Sequence, residues 1–107
     1  MSGTGLIAAL TTVSTREQAE TLARALVEQN LAACVQLQAI ESVYRWQGAL
    51  QQEPEWRLLI KSTQARWAAL QAAVLAHHPY ALPALVAWPL PEGHALFQDW
   101  VREQTHS

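Results

Sequence analysis

The residues of this chain best suited to chemistry lie in three places. Two adjacent imidazoles, His77 and His78, stand between an apolar run and Pro79-Tyr80. Imidazole ligates copper and zinc and exchanges protons near neutral pH. Neighbours on a regular helix point about 100° apart, so such a pair chelates one ion poorly; histidines four residues apart are the stronger helical signal. The competing reading is structural, because a histidine near a helix C-terminus meets the macrodipole and can bond the last free carbonyls. Cys34, the one cysteine, lies in an apolar run, where a free thiol either packs as a small hydrophobe or serves as a ligating thiolate. Tyr44-Arg45-Trp46-Gln47-Gly48 is the third place. It can stack a planar ligand, hold an anion through Arg45, or close a hairpin with a cross-strand aromatic pair. No GxSxG, P-loop or GxGxxG occurs, and the acidic residues are scattered. With no catalytic constellation in view, a binding role is expected rather than an enzyme.

The elements that must position these groups follow from the hydrophobic pattern. Leu6 to Val13 is a short, nearly continuous apolar run with β-branched members, as expected of a strand buried on both faces. Thr15-Arg16-Glu17-Gln18 carries a capping-box pattern, and Ala19, Leu22, Ala23 and Leu26 recur at helical spacing to about Asn30. Leu31 to Trp46 has no helical period and no Gly or Pro, and predicts a long strand. Gln47-Gly48-Ala49 predicts a turn, and about Leu50 to Lys61 a returning strand in which Pro54 marks a bulge or an edge. Ser62 or Thr63 is placed to cap a second helix with Trp67, Leu70, Gln71 and Val74 on one side. Pro79 biases His78 towards extended backbone and so ends that helix just before it. Ala84 to Leu90 predicts a fourth strand. Pro91-Glu92-Gly93 opens a third helix with Leu96, Phe97, Trp100 and Val101 as its apolar stripe. The order β-α-β-β-α-β plus a C-terminal helix is the ferredoxin-like split β-α-β pattern, an α+β fold.

The 107 residues suit a single domain, 1–107, and half of them are apolar, enough for a core at this size. The predicted hairpin is too long for such a domain. Sixteen extended residues span about 53 Å, against a diameter of roughly 34 Å for a compact chain of this length. The hairpin must bend or protrude, and a protruding one exposes unpaired backbone groups that another subunit would cover. A net charge of −2 argues against a nucleic-acid partner. No apolar run is long enough to span a bilayer, and the N-terminus lacks the positive region of a signal peptide, so a cytoplasmic chain without membrane attachment is expected. One cysteine allows neither an internal disulfide nor a CxxC motif.

"NLAACVQL", "YRWQG", "LLIKST", "HHPYALP" and "WPLPEG" occur here in the order and spacing of the CutA divalent-cation tolerance proteins. The combination is specific, and the resemblance covers essentially the whole chain. It implies a tight homotrimer of ferredoxin-like subunits, similar in architecture to the PII signalling trimers, with the long hairpins pairing across subunits. It also implies a link to divalent-metal tolerance and to copper. Cys34 matches the cysteine of the family's Ala-Ala-Cys; His78, Pro79 and Tyr80 match its His-Pro-Tyr; His77 matches the preceding histidine of some bacterial members. The chain departs from the family at Thr11, where some members carry a cysteine, at Gln36 and Ala39-Ile40, where Asn and a Pro-Gly kink are common, and at Ala81 and Ala84, where glutamates are usual.

The metal ligands that this resemblance implies are therefore His77, His78 and Cys34. Lacking the other thiolate and the two carboxylates, they predict weak binding of copper (Cu2+) or another divalent cation, none of it tightly held. Such binding would be proton-competitive, fading as pH falls through about 6.5. The two imidazoles are expected to divide, one facing the core or capping the helix, the other facing a cleft between subunits. Two alternatives accompany this reading: a PII-like signalling module that binds a small effector in the intersubunit cleft and passes its state to a protein partner, and a trimeric scaffold without a ligand.

Overall fold

A computed structural model describes residues 4–106. Eight residues, Leu6–Val13, form β1; α1 spans Arg16–Glu28, β2 Cys34–Trp46 and β3 Ala49–Thr63. A 3-10 turn, Gln64–Arg66, leads into α2, Trp67–His77; β4 is Leu85–Pro89 and α3 Ala95–Thr105. The four strands make one antiparallel sheet in the order β2-β3-β1-β4. β3 inserts between β1 and β2, which is the ferredoxin-like arrangement expected from the element order.

The sheet has one well-covered face. Ala9, Val13, Leu58 and Ile60 pack there beneath Ala19, Leu22 and Leu26 of α1 and Leu70 and Val74 of α2. α1 begins with the capping box that its sequence predicts: Thr15 Oγ1 accepts from Gln18 N–H, and the Gln18 side chain reaches back to the Thr15 N–H. On the opposite face α3 turns Val101 against Leu6, Ala33 and Leu90. Its predicted stripe is otherwise open, with Leu96, Phe97 and Trp100 exposed. Val86 and Trp88 of β4 are exposed as well.

Two sequence expectations are corrected in detail, and one open alternative is decided. The second strand starts at Cys34 rather than Leu31. Asn30 takes a left-handed conformation (φ 59°), and the N–H groups of Leu31 and Ala32 both turn back to the Leu26 carbonyl, so these residues close α1 instead of extending a strand. Neither Ser62 nor Thr63 caps a helix through its side chain: Thr63 precedes the 3-10 turn with no such bond, and the buried Ser62 hydroxyl donates to the Leu31 carbonyl at 2.6 Å. Of the two readings for Pro54, the edge is the one observed. The β2–β3 register runs unbroken through Glu41↔Pro54, so there is no bulge. β1 pairs with β3 only as far as Trp56, so the side of β3 to which Pro54 offers no N–H has no strand beside it.

That last point sets the shape of the molecule. Beyond Ile40 and Glu55 the hairpin leaves the sheet as a two-stranded arm, closed by Gln47 and Gly48, both at positive φ (49° and 81°). This is the conformation of the two-residue hairpin turns that match strand twist. The chain extends 44 Å along its longest axis and 22 Å along its shortest, with a radius of gyration of 14.5 Å, above the roughly 13 Å of a compact domain of this length.

Candidate functional site

The loop between α2 and β4 carries the histidine motif, and the structure separates the two rings. α2 ends at His77, which is exposed. His78 has extended backbone (φ −75°, ψ 135°), as Pro79 requires, and its ring turns inward over the end of β1. Both of its nitrogens are engaged. The Tyr80 backbone N–H donates to Nδ1 at 3.1 Å, so Nδ1 must be the unprotonated nitrogen. Nε2 then carries the proton and faces the Thr12 carbonyl at 2.9 Å and Thr11 Oγ1 at 3.1 Å. Thr11, fully buried, donates its own hydroxyl to the Ala84 carbonyl at 2.6 Å. β4 pairs with β1 only up to Thr11, so the imidazole satisfies a carbonyl that the strand leaves unpaired. Burial holds His78 below the ordinary histidine value, against the opposing pull of the Thr12 carbonyl and the Glu55 charge.

Tyr80 extends this network. Its ring meets the His78 ring edge-on with centroids 4.9 Å apart. Its hydroxyl donates to Glu55 Oε2 at 2.6 Å and accepts from Ser14 Oγ at 3.0 Å. Desolvation, reinforced by the bond to Glu55, pushes the phenol up to about 12. Through these bonds Tyr80 ties the loop to Glu55 at the base of the arm and to Ser14 just after β1.

Loop and arm enclose a groove of about 810 Å³. Glu53, Glu55 and the ring of Tyr44 form its arm side, with Trp46 towards the tip. The loop side is apolar, Ala81 to Ala84, and Thr12 and Ser14 lie between the two. Partial desolvation and the charges of Glu53 and Glu55 raise the Tyr44 phenol above its ordinary value. The acidic pair escaped the sequence reading, which took the acidic residues as scattered. Its signal was the Glu53-Pro54-Glu55 spacing, because residues two apart on a strand share a face.

Cys34 lies elsewhere. It opens β2, half-buried, opposite Lys61, while the His78 ring sits at the far end of β1 with β3 between the two strands. The metal residues read from the sequence are thus not brought together within one chain: His77 is exposed, His78 has spent both nitrogens, and Cys34 stands apart. Among the described residues no three His, Cys, Asp or Glu side chains converge as a cation site. No helix of the described residues is long and apolar enough to cross a membrane.

Comparison with known proteins places this arrangement in context. The family model for the CutA1 divalent ion tolerance protein matches residues 7–104. A divalent-cation tolerance protein CutA of Thermus thermophilus is 45% identical over 97 residues, 90% of this chain and 94% of that one. A human protein CutA is 36% identical over 112 residues, 99% of this chain, which spans 63% of the human protein. Among solved structures, CutA from Synechococcus elongatus superposes with a TM-score of 0.94 at 40% identity, covering 99% of this chain and 95% of that one. A periplasmic divalent cation tolerance protein CutA from Archaeoglobus fulgidus gives 0.92 at 31% identity, covering 94% and 99%.

Proposed function

The chain belongs to the CutA1 divalent ion tolerance family, and on that footing we propose that residues 1–107 act as one domain, in a cytoplasmic homotrimer that serves divalent-cation tolerance by binding rather than catalysis. The arm carries this reading. A two-stranded ribbon standing clear of its sheet is marginal in water, and this one exposes Val43, Trp46 and Leu50, the last at 71%. The outer edge of β2 has no partner strand among the described residues. With the open side of α3 and the exposed Val86 and Trp88 of β4, these surfaces are what a neighbouring subunit would cover.

The ligand set of a single chain does not fit a resident metal, because His78 is bonded at both nitrogens and Cys34 is remote from it. Copper would bind weakly, at the exposed imidazole of His77, with Cys34 contributing only if assembly brings thiol and imidazole together. The compartment has a rival in the periplasmic description of the Archaeoglobus relative, and fractionation of the native cell distinguishes the two.

The test has two stages. Light scattering at micromolar concentration should give three times the chain mass; a monomeric mass overturns the trimer. Copper titration of wild type, His77→Ala and Cys34→Ala trimers should then show weak binding that His77→Ala diminishes. Undiminished binding in His77→Ala removes that residue from the site.

The acidic, half-apolar groove favours a second reading, a PII-like module that holds a small effector there and passes its state to a protein partner. Its conjunction of concavity, apolar surface and a few convergent polar groups is that of ligand sites in general.

A further inference from the structure

The structure assigns a ligand class to the groove between arm and loop: we propose that it takes a small organic ammonium ion with an apolar body. This rests on the effector reading and specifies it. Three observations carry it, and none involves the histidines or the cysteine.

The first is size. About 810 Å³ lies within the range of small-molecule sites and far exceeds the needs of a bare ion. The second is the charge of the walls. Glu53 and Glu55 stand two residues apart on one face of β3, and no Lys, Arg or His among the described residues lines the groove. Among the described residues the ion pairs are Arg16–Glu20 and Arg102–Asp99, so neither carboxylate has an ion-pair partner. Arg16 also lies over the Trp56 ring, 5.6 Å from its centroid, Arg57 hydrogen-bonds Gln38, and burial holds His78, which feels the Glu55 charge, below the ordinary histidine value. Glu55 receives the neutral Tyr80 hydroxyl, which organises the carboxylate without neutralising it. The third is the remaining surface. Tyr44 supplies aromatic surface, and Leu82 and Pro83 further apolar lining.

These features select by exclusion as well as by attraction. A nucleotide or phosphate would meet two carboxylates and no cation. A hard divalent cation wants six or more oxygen ligands at short range, whereas the two carboxylates lie on one wall with apolar surface opposite. A neutral apolar molecule would leave two neighbouring negative charges unrelieved. An ammonium ion relieves that repulsion, lies against aromatic surface, and places its hydrocarbon body on Leu82 and Pro83.

The experiment is calorimetric titration of the native assembly with phenethylammonium and benzyltrimethylammonium. The controls are 2-phenylethanol as the neutral analogue, magnesium and calcium, and ATP. The ammonium ions should bind saturably. Affinity should fall about tenfold or more in Glu53→Gln/Glu55→Gln, whose side chains keep their shape and lose their charge. Glu53→Gln alone, which leaves the Tyr80–Glu55 bond intact, should show an intermediate loss and guards against a folding defect in the double variant. Equal binding of 2-phenylethanol, or ammonium binding that both variants retain, overturns the proposal. ATP binding without ammonium binding overturns the ligand class but leaves the effector reading standing. Silence from every probe overturns both.

Discussion

His78 shows what a single residue can absorb. As a side chain it offers a metal two nitrogens; in the fold it spends one on the Tyr80 N–H and the other on the Thr12 carbonyl. A prediction follows from its lowered pKa. Above about pH 6.5 the ring is neutral both folded and unfolded, and the shift has no effect on stability. As pH falls below that value the unfolded chain takes up the proton first, and the native state loses stability until the depressed native pKa is passed. Urea midpoints should therefore decline from pH 7 towards pH 5, and the decline should be shallower in His78→Gln; an equally steep profile in the variant would place the acid sensitivity elsewhere. Tyr80→Phe examines the same network from its other end. Loss of the hydroxyl leaves Glu55 and Ser14 without their shared partner, and the expected cost at this half-exposed position is about 1 kcal/mol, read from the urea midpoint at pH 7.

At the scale of elements, the turn at the arm tip is the most exacting piece of backbone. Gln47 and Gly48 both lie at positive φ, and a Cβ added to Gly48 would meet no atom within 4 Å. Any penalty for filling the site is therefore conformational rather than steric crowding. Gly48→Ala should cost about 1 kcal/mol, whereas Gln47→Asn, which suits the left-handed region better, should be neutral or stabilising by a few tenths, about 0.3 kcal/mol. Chemical denaturation at fixed protein concentration checks both signs. α1 is secured differently: Thr15→Ala removes the oxygen that receives the Gln18 N–H and should cost about 1 kcal/mol.

For the whole molecule, the exposed arm and the open stripe of α3 leave apolar surface in solvent on the single chain, and in the proposed trimer stability would belong to the assembly. Trp46 is 42% exposed in the isolated chain. If a neighbouring subunit covers it, Trp46→Ala should lower the thermal midpoint and make oligomer mass depend on concentration in the micromolar range. Unchanged mass and midpoint would mean that the tip stays in solvent after assembly.

The sequence by itself determined the element order, the cap of α1 and the length of the hairpin, because these follow from local periodicity, from Thr15 and Gln18 three residues apart, and from a turn pair beside which no helical period holds. It also marked the end of α2, since Pro79 acts on the residue just before it. The roles within the site were decided only by tertiary structure. His77 and His78 are equivalent as residue types, and which one turns inward depends on a Thr12 carbonyl sixty-six positions away that β4 stops too soon to reach. Glu55 and Tyr80, twenty-five residues apart, meet because the arm departs where β1 ends and the loop before β4 crosses at that point. Local sequence sets backbone preference, but which polar groups face one another is fixed by strand register and by where each strand stops.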